Sequence, residues 1–196
     1  MKYRRLIAGF TMVFVLLVPA SGWAVSLIVN NGQLMGAKDV SVSGVLYNVS
    51  FQDGTCINLF NGCDQASDFV FNTEAMARVA GQALLDTVFI DVPEGAFDTV
   101  PKRTNGIRWD YDGIVQMPVS PINAQSVLVL KLIHSRFEAS DQIQGLATFP
   151  ISSDLTLSDI TTFAVWSPVS QVPIPASIWL FGSGLFGLVF AVRRKF

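Results

Sequence analysis

Hydrophobic positions fall into three regimes along this chain. Two stretches, 6–18 and 176–192, contain no charged residue, and between them apolar residues come in short runs punctuated by turn formers. The runs 26–30, 40–43, 45–51, 107–110, 126–133 and 161–166 predict strands, separated by turn signals such as Asn30-Asn31-Gly32, Asp53-Gly54, Asn61-Gly62 and Asn105-Gly106. Within 126–133, Val127, Val129 and Ile133 point one way and Leu128, Leu130 and Leu132 the other, which predicts a central strand buried on both faces. The period changes over 73–89, where Ala75, Met76, Val79, Ala80, Ala83, Leu84 and Val88 recur at the spacing of one helical face. Asn72 or Thr73 is placed to cap this helix, and Glu74 sits in its first turn, where the helix dipole favours a carboxylate.

The terminal stretches read differently from the middle. At the N-terminus Lys2, Arg4 and Arg5 precede the apolar run 6–18, and small residues follow it up to Gly22 and Ala24. This is the plan of a secretory signal peptide, with cleavage expected between Ala24 and Val25 and Ala20 as the second choice. Thirteen helical residues span only about 20 Å, short of a hydrocarbon core of about 30 Å. At the other end, 176–192 is long enough for a short transmembrane helix and stops against Arg193, Arg194 and Lys195. By the positive-inside rule that cluster stays cytoplasmic and the rest of the chain lies outside.

Charge supports the same partition. Only 14% of residues are charged, against about 25% in a typical soluble domain, and the mean hydropathy is +0.46. Residues 25–171 nevertheless hold seven basic residues against all 15 acidic ones, a formal charge of −8. An acidic module of this kind is unsuited to nucleic acid, whose phosphates are met by Lys and Arg. A polytopic transporter is excluded because only the ends are apolar enough.

Before the C-terminal helix stands Val172-Pro173-Ile174-Pro175-Ala176, and after it the Arg193-Arg194-Lys195 cluster. The prolines donate no backbone hydrogen bond and keep their predecessors extended, the geometry a protease cleft accepts. In this order, box, glycine-bearing helix and basic stop resemble the PEP-CTERM sorting tail of Gram-negative surface proteins, with Ile174 where the commonest box has Glu. The resemblance implies recognition by an exosortase, a membrane cysteine protease that removes the tail. More loosely, the segments 53–56, 61–64 and 162–168 are similar to extracellular regions that accompany such tails, which implies no activity.

Candidate chemistry is sparse. Cys56 and Cys63 are the only cysteines, with six residues between them, and in an exported chain they read as a local disulfide. Free thiols and a redox or metal role are the alternatives, but a redox site wants Cys-x-x-Cys and zinc wants more ligands. His134, the only histidine, is read as a strand-end surface residue, since no G-x-S-x-G is present to supply a nucleophile and Gly182-Ser183-Gly184 falls in the expected membrane helix. Asp110, Asp112 and Gly113, and the pair Asp64 and Asp68, begin calcium-loop patterns that do not continue, so solvated turns are expected. Asp91, Glu94 and Asp98 offer carboxylates for glycoside hydrolysis without any sign of the required separation.

The expected organisation is therefore a signal peptide over 1–24, a secreted α+β module over 25–165, a proline-bearing stalk and sorting box over 166–175, and a transmembrane helix with basic tail over 176–196. The module is expected to be a mostly antiparallel β-sheet with one packed helix. The function expected is that of a non-enzymatic exported protein without cofactor, handled by the translocon, signal peptidase and the exosortase. It passes through an inner-membrane intermediate to the cell surface or the biofilm matrix. An association with exopolysaccharide follows from the resemblance alone. The competing expectations are an extracellular hydrolase or carbohydrate-binding module, and a permanently anchored single-pass protein.

Overall fold

The computed structural model describes residues 24–137 and 141–170. The expected signal peptide up to residue 23, the sorting box, the expected transmembrane helix at 176–192 and the basic cluster lie outside the described residues. Among those that are described, no helix is long and apolar enough to cross a membrane.

The frame is a seven-stranded sheet built from β1 (Ser26–Asn30), β2 (Gln33–Val42), β3 (Val45–Gln52), β6 (Asp112–Asn123), β7 (Ser126–Ser135), β8 (Gln142–Pro150) and β9 (Thr161–Pro168). Their order is β1-β2-β3-β9-β6-β7-β8. The expected antiparallel architecture is found at every pairing except β6 with β9, which is parallel over Ile114↔Thr161 to Gln116↔Phe163. The last strand thus joins the N-terminal meander to the β6-β7-β8 meander. Asn31 and Gly32, with φ of 50° and 75°, close the first hairpin. Positive φ at both turn positions matches the right-handed twist of the flanking strands. β4 (Asp91–Val92) and β5 (Gly95–Ala96) form a separate two-stranded ribbon.

Two elements depart from the predicted strand pattern. Residues 107–110 do not form a strand: the Arg108 and Trp109 N–H groups both donate to the Asp159 carbonyl. The strand begins instead at Asp112 and carries two prolines, Pro118 and Pro121. Proline removes a ladder donor, and here the β9 side of β6 pairs only as far as Gln116, while the β7 register shifts at Pro118/Ser120 and Pro121/Asn123. β8 lies outside the predicted strands because its edge position leaves only exposed and half-buried residues, interrupted by Gly145 at φ 110°.

The long helix α2 (Glu74–Thr87) is capped by Thr73, whose hydroxyl accepts from the Met76 N–H. Its buried face is Ala77, Ala80, Gly81 and Leu84, continued by Val88, whereas Met76 and Val79 are exposed. The predicted face is therefore rotated by about one residue. Small side chains let the helix lie close on the sheet: a Cβ on Gly81 would stand 3.1 Å from Leu132 Cδ2. The bulkier Met76 and Val79 are left outward. A second helix, α1 (Cys56–Leu59), is a single turn capped by Thr55.

Both faces of the sheet are covered. The α2 side packs Val49, Phe51, Leu130, Leu132, Ala164 and Trp166 with the helix, while the other side packs Val127, Val129 and Phe163 with Phe60, Phe69 and the two cysteines. The alternation in β7 is accordingly buried on both faces, and β7 lies between two neighbours as expected. Trp166, Ser167 and Pro168, placed in a stalk by the sequence, are paired in β9 with Val49, Asn48 and Tyr47. Trp166 packs on Phe71 and Tyr47, which explains why the strand runs into the proline-bearing stretch.

Candidate functional site

Cys56 and Cys63 are joined by a disulfide with their Cα atoms 5.7 Å apart. Left-handed backbone at Asn61, Gly62 and Cys63 turns the chain back on α1, so the loop closes without help from distant residues. Both cysteines are fully buried beneath Phe60, which packs edge-on against Phe69 and Phe163. The bond staples a layer onto the sheet and has no feature of a reactive centre. Asp68 closes this loop by accepting from the Asp64 and Gln65 N–H groups. Those bonds, led by that from Gln65, hold its carboxyl below the ordinary range.

Of the other predicted acids, Asp91 and Asp98 are brought together, and the rest lie apart. Asp110 pairs with Lys102 at 2.6 Å, and Asp112 opens β6 opposite Ser135. Glu94 sits in the β4–β5 turn. Asp91 accepts from the Asp98 and Thr99 N–H groups and from the Thr99 hydroxyl. Partial burial works to raise its carboxyl, but these bonds outweigh it and the result lies below the usual value.

His134 corrects the sequence reading outright. It has no exposed surface, and its ring stacks on Phe89 with centroids 4.1 Å apart and planes 12° apart. The strand does end next to it, but α2 and the segment after it cover that end, so the position that looks terminal in sequence is interior in space. Its side chain faces Asp98 and Asp141 rather than solvent.

The feature with the form of a ligand surface was missed by the sequence reading. Trp109, Tyr111 and Phe137 are 52%, 50% and 61% exposed around a cleft of about 520 Å³ whose floor is Ile114 and Ile133. Trp109 and Tyr111 stand 5.9 Å apart with planes inclined at 46°. Arg108 fixes this segment by donating to the Ser158 carbonyl and pairing with Asp159. The Arg136 guanidinium lies 5.0 Å from the Tyr111 ring centre and 5.6 Å from that of Phe137. A cation over an aromatic face holds both rings in place. Exposed Asp112 and Gln142 supply polar atoms at the rim. The signal available in the sequence was Trp109-x-Tyr111 next to a turn, and it was absorbed into a predicted strand.

These features define a disulfide-stapled, acidic α+β module. Which export system handles it follows from the tail: residues 171–195 match the family described as the PEP-CTERM protein-sorting motif. The chain carries that sorting motif, which implies export, processing by an exosortase and a membrane-anchored sorting intermediate. The match spans the box and the basic cluster that suggested it. No curated protein and no solved structure matches the chain.

Proposed function

We propose that this is a non-enzymatic component of the cell surface or extracellular matrix that associates with exopolysaccharide through the Trp109–Tyr111 cleft. It is delivered through the translocon and cut by signal peptidase after Ala24. The C-terminal helix then holds it with the basic cluster in the cytoplasm until an exosortase trims the tail. The cut after Ala24 is compatible with the fold, because Ala24 is exposed and β1 starts only at Ser26.

The observation that carries the ligand reading is the exposed, pre-positioned aromatic pair beside polar groups. Sugar rings present apolar C–H faces and polar edges, and a site for them combines flat aromatic surface with a few hydrogen-bonding groups. The formal −8 of the module disfavours an anionic polymer, so the matching class is a neutral polysaccharide. Affinity electrophoresis through gels containing the producing organism's purified exopolysaccharide tests this. The native protein should be retarded, and Trp109→Ala and Tyr111→Ala should each lose about tenfold in affinity, as expected for removing roughly 1.4 kcal/mol of stacking. Equal mobility of native and variant proteins would refute the cleft as the binding surface.

A further inference from the structure

On the opposite face of β7 from the aromatic cleft, one side chain is buried with its polar capacity unspent. Among the described residues, neither ring nitrogen of His134 has a hydrogen-bond partner, although the residue is fully buried. Its Nδ1 stands 3.6 Å from Asp141 Oδ2, beyond hydrogen-bonding distance. Leaving such a group unpaired costs free energy comparable to a lost hydrogen bond, so native structures give it a partner. Around it, His134, Asp98 and Asp141 each offer one ligand atom, all within 4.8 Å of one another. The adjoining cleft, about 470 Å³, is bordered by Asp86, Asp91, Asp98 and Asp141 and, among the described residues, by no Lys or Arg.

We propose that Asp98, His134 and Asp141 form a binding site for a divalent transition-metal ion, with Zn²⁺ the best match to the donors. An imidazole nitrogen with two carboxylate oxygens suits zinc, whereas calcium and magnesium take oxygen ligands and would leave the imidazole unused. Thiolate competition is absent, since both cysteines are in the disulfide. Two ligands on one tetrahedral zinc lie about 3.3 Å apart. The His134–Asp141 separation is already close to this, and the partly exposed Asp98 needs to move by about 1 Å or a little more.

The surroundings fit ligands held in place. Phe89 fixes the plane of the imidazole by stacking on it. Asp141 is anchored through its other oxygen, which accepts the Ser135 N–H at 2.6 Å. Hydrogen bonds that orient ligating groups are a regular part of metal sites. The adjoining cleft leaves space for a water as the fourth ligand. An ion here would tie the end of β7 to the segments before β6 and β8, three parts of the chain distant in sequence.

The test is isothermal titration of Zn²⁺ into the tag-free full-length protein in detergent after chelator treatment, with Ca²⁺ as the comparison. One Zn²⁺ per chain is expected, with Ca²⁺ at least tenfold weaker. Saturation at a hundredfold excess over Kd should raise Tm by roughly 5–10 °C. Asp98→Asn and Asp141→Asn, both at partly exposed positions that retain an acceptor oxygen, should each weaken Zn²⁺ by at least about tenfold. X-ray absorption of the zinc-loaded protein should report one imidazole nitrogen and carboxylate oxygens at about 2.0–2.2 Å. Absence of stoichiometric binding, binding unchanged in both Asn variants, or a zinc shell without histidine would overturn the site. So would an imidazolium at His134, seen by ¹⁵N NMR at pH 7, that does not respond to zinc. Glycan retardation is read separately, so either proposal can fail alone.

Discussion

Replacing both Cys56 and Cys63 by Ala separates two contributions that the structure places at one spot. The bond closes a loop of eight residues from Cys56 to Cys63. In the chain-entropy model that constraint stabilises by about 2.5 kcal/mol. Each substitution also deletes one sulfur with no exposed surface, packed in the layer with Phe60, Phe69 and Phe163. A buried atom of that size contributes about 1 kcal/mol. The double variant should therefore lose roughly 4–5 kcal/mol, which for a module of this size lowers Tm by about 12–15 °C at about 3 °C per kcal/mol. Thermal unfolding followed by circular dichroism reads the total. Reducing the native protein removes the constraint and leaves the sulfurs in place, so it should lower Tm by only about 7 °C. A double-variant shift below about 4 °C, or one equal to that of reduction, would refute the claim that the staple and its packing act together.

Three further outcomes are expected. Gly106 has φ of 85°, and a Cβ there would run into the Asp53 carboxylate and the Thr162 hydroxyl. Gly106→Ala should cost about 2–4 kcal/mol in urea unfolding, and an unchanged midpoint would contradict the close approach. Asp68 and Asp91 are held below the unfolded carboxylate value, so the stability they contribute is present above about pH 4 and is lost as pH falls through their native values. Asp91→Asn should flatten the acid limb of a stability-versus-pH curve, and an unaltered limb would count against the Thr99 and Asp98 bonds. Gly81→Ala should be felt by Leu132 at 3.1 Å; a loss of about 1 kcal/mol is expected, and a clear gain would mean that the helix is not packed closely at that point.

Periodicity made most of the fold legible. The helix, its Thr73 cap, the β7 alternation and the disulfide could all be read because each rests on contacts within a short window of sequence. What could not be read depends on long-range pairing. β6 tolerates Pro118 and Pro121 only because β9 has left its flank by then, and β8 looks unpatterned because it is an edge. The helix face was misjudged for a related reason: hydrophobicity favoured Met76 and Val79, but close packing selected Ala77 and Gly81. His134 shows the limit most clearly. Its burial comes from Phe89, Asp98 and Asp141, which no local pattern connects to it. The sorting tail was legible for the opposite reason, being a linear signal recognised as sequence.

The sorting motif at 171–195 underlies the proposal that an exosortase removes the tail on the way to the surface. That proposal is tested most directly by intact-mass spectrometry of the protein recovered from cells with and without the sorting enzyme. The released form from the intact strain should begin at Val25 and end within or just before the box, lacking the helix and Arg193-Arg194-Lys195. Cells without the enzyme should hold a larger, membrane-bound form that retains them. A single mass and a single membrane location in both strains would contradict the account and identify the protein as a permanent anchor.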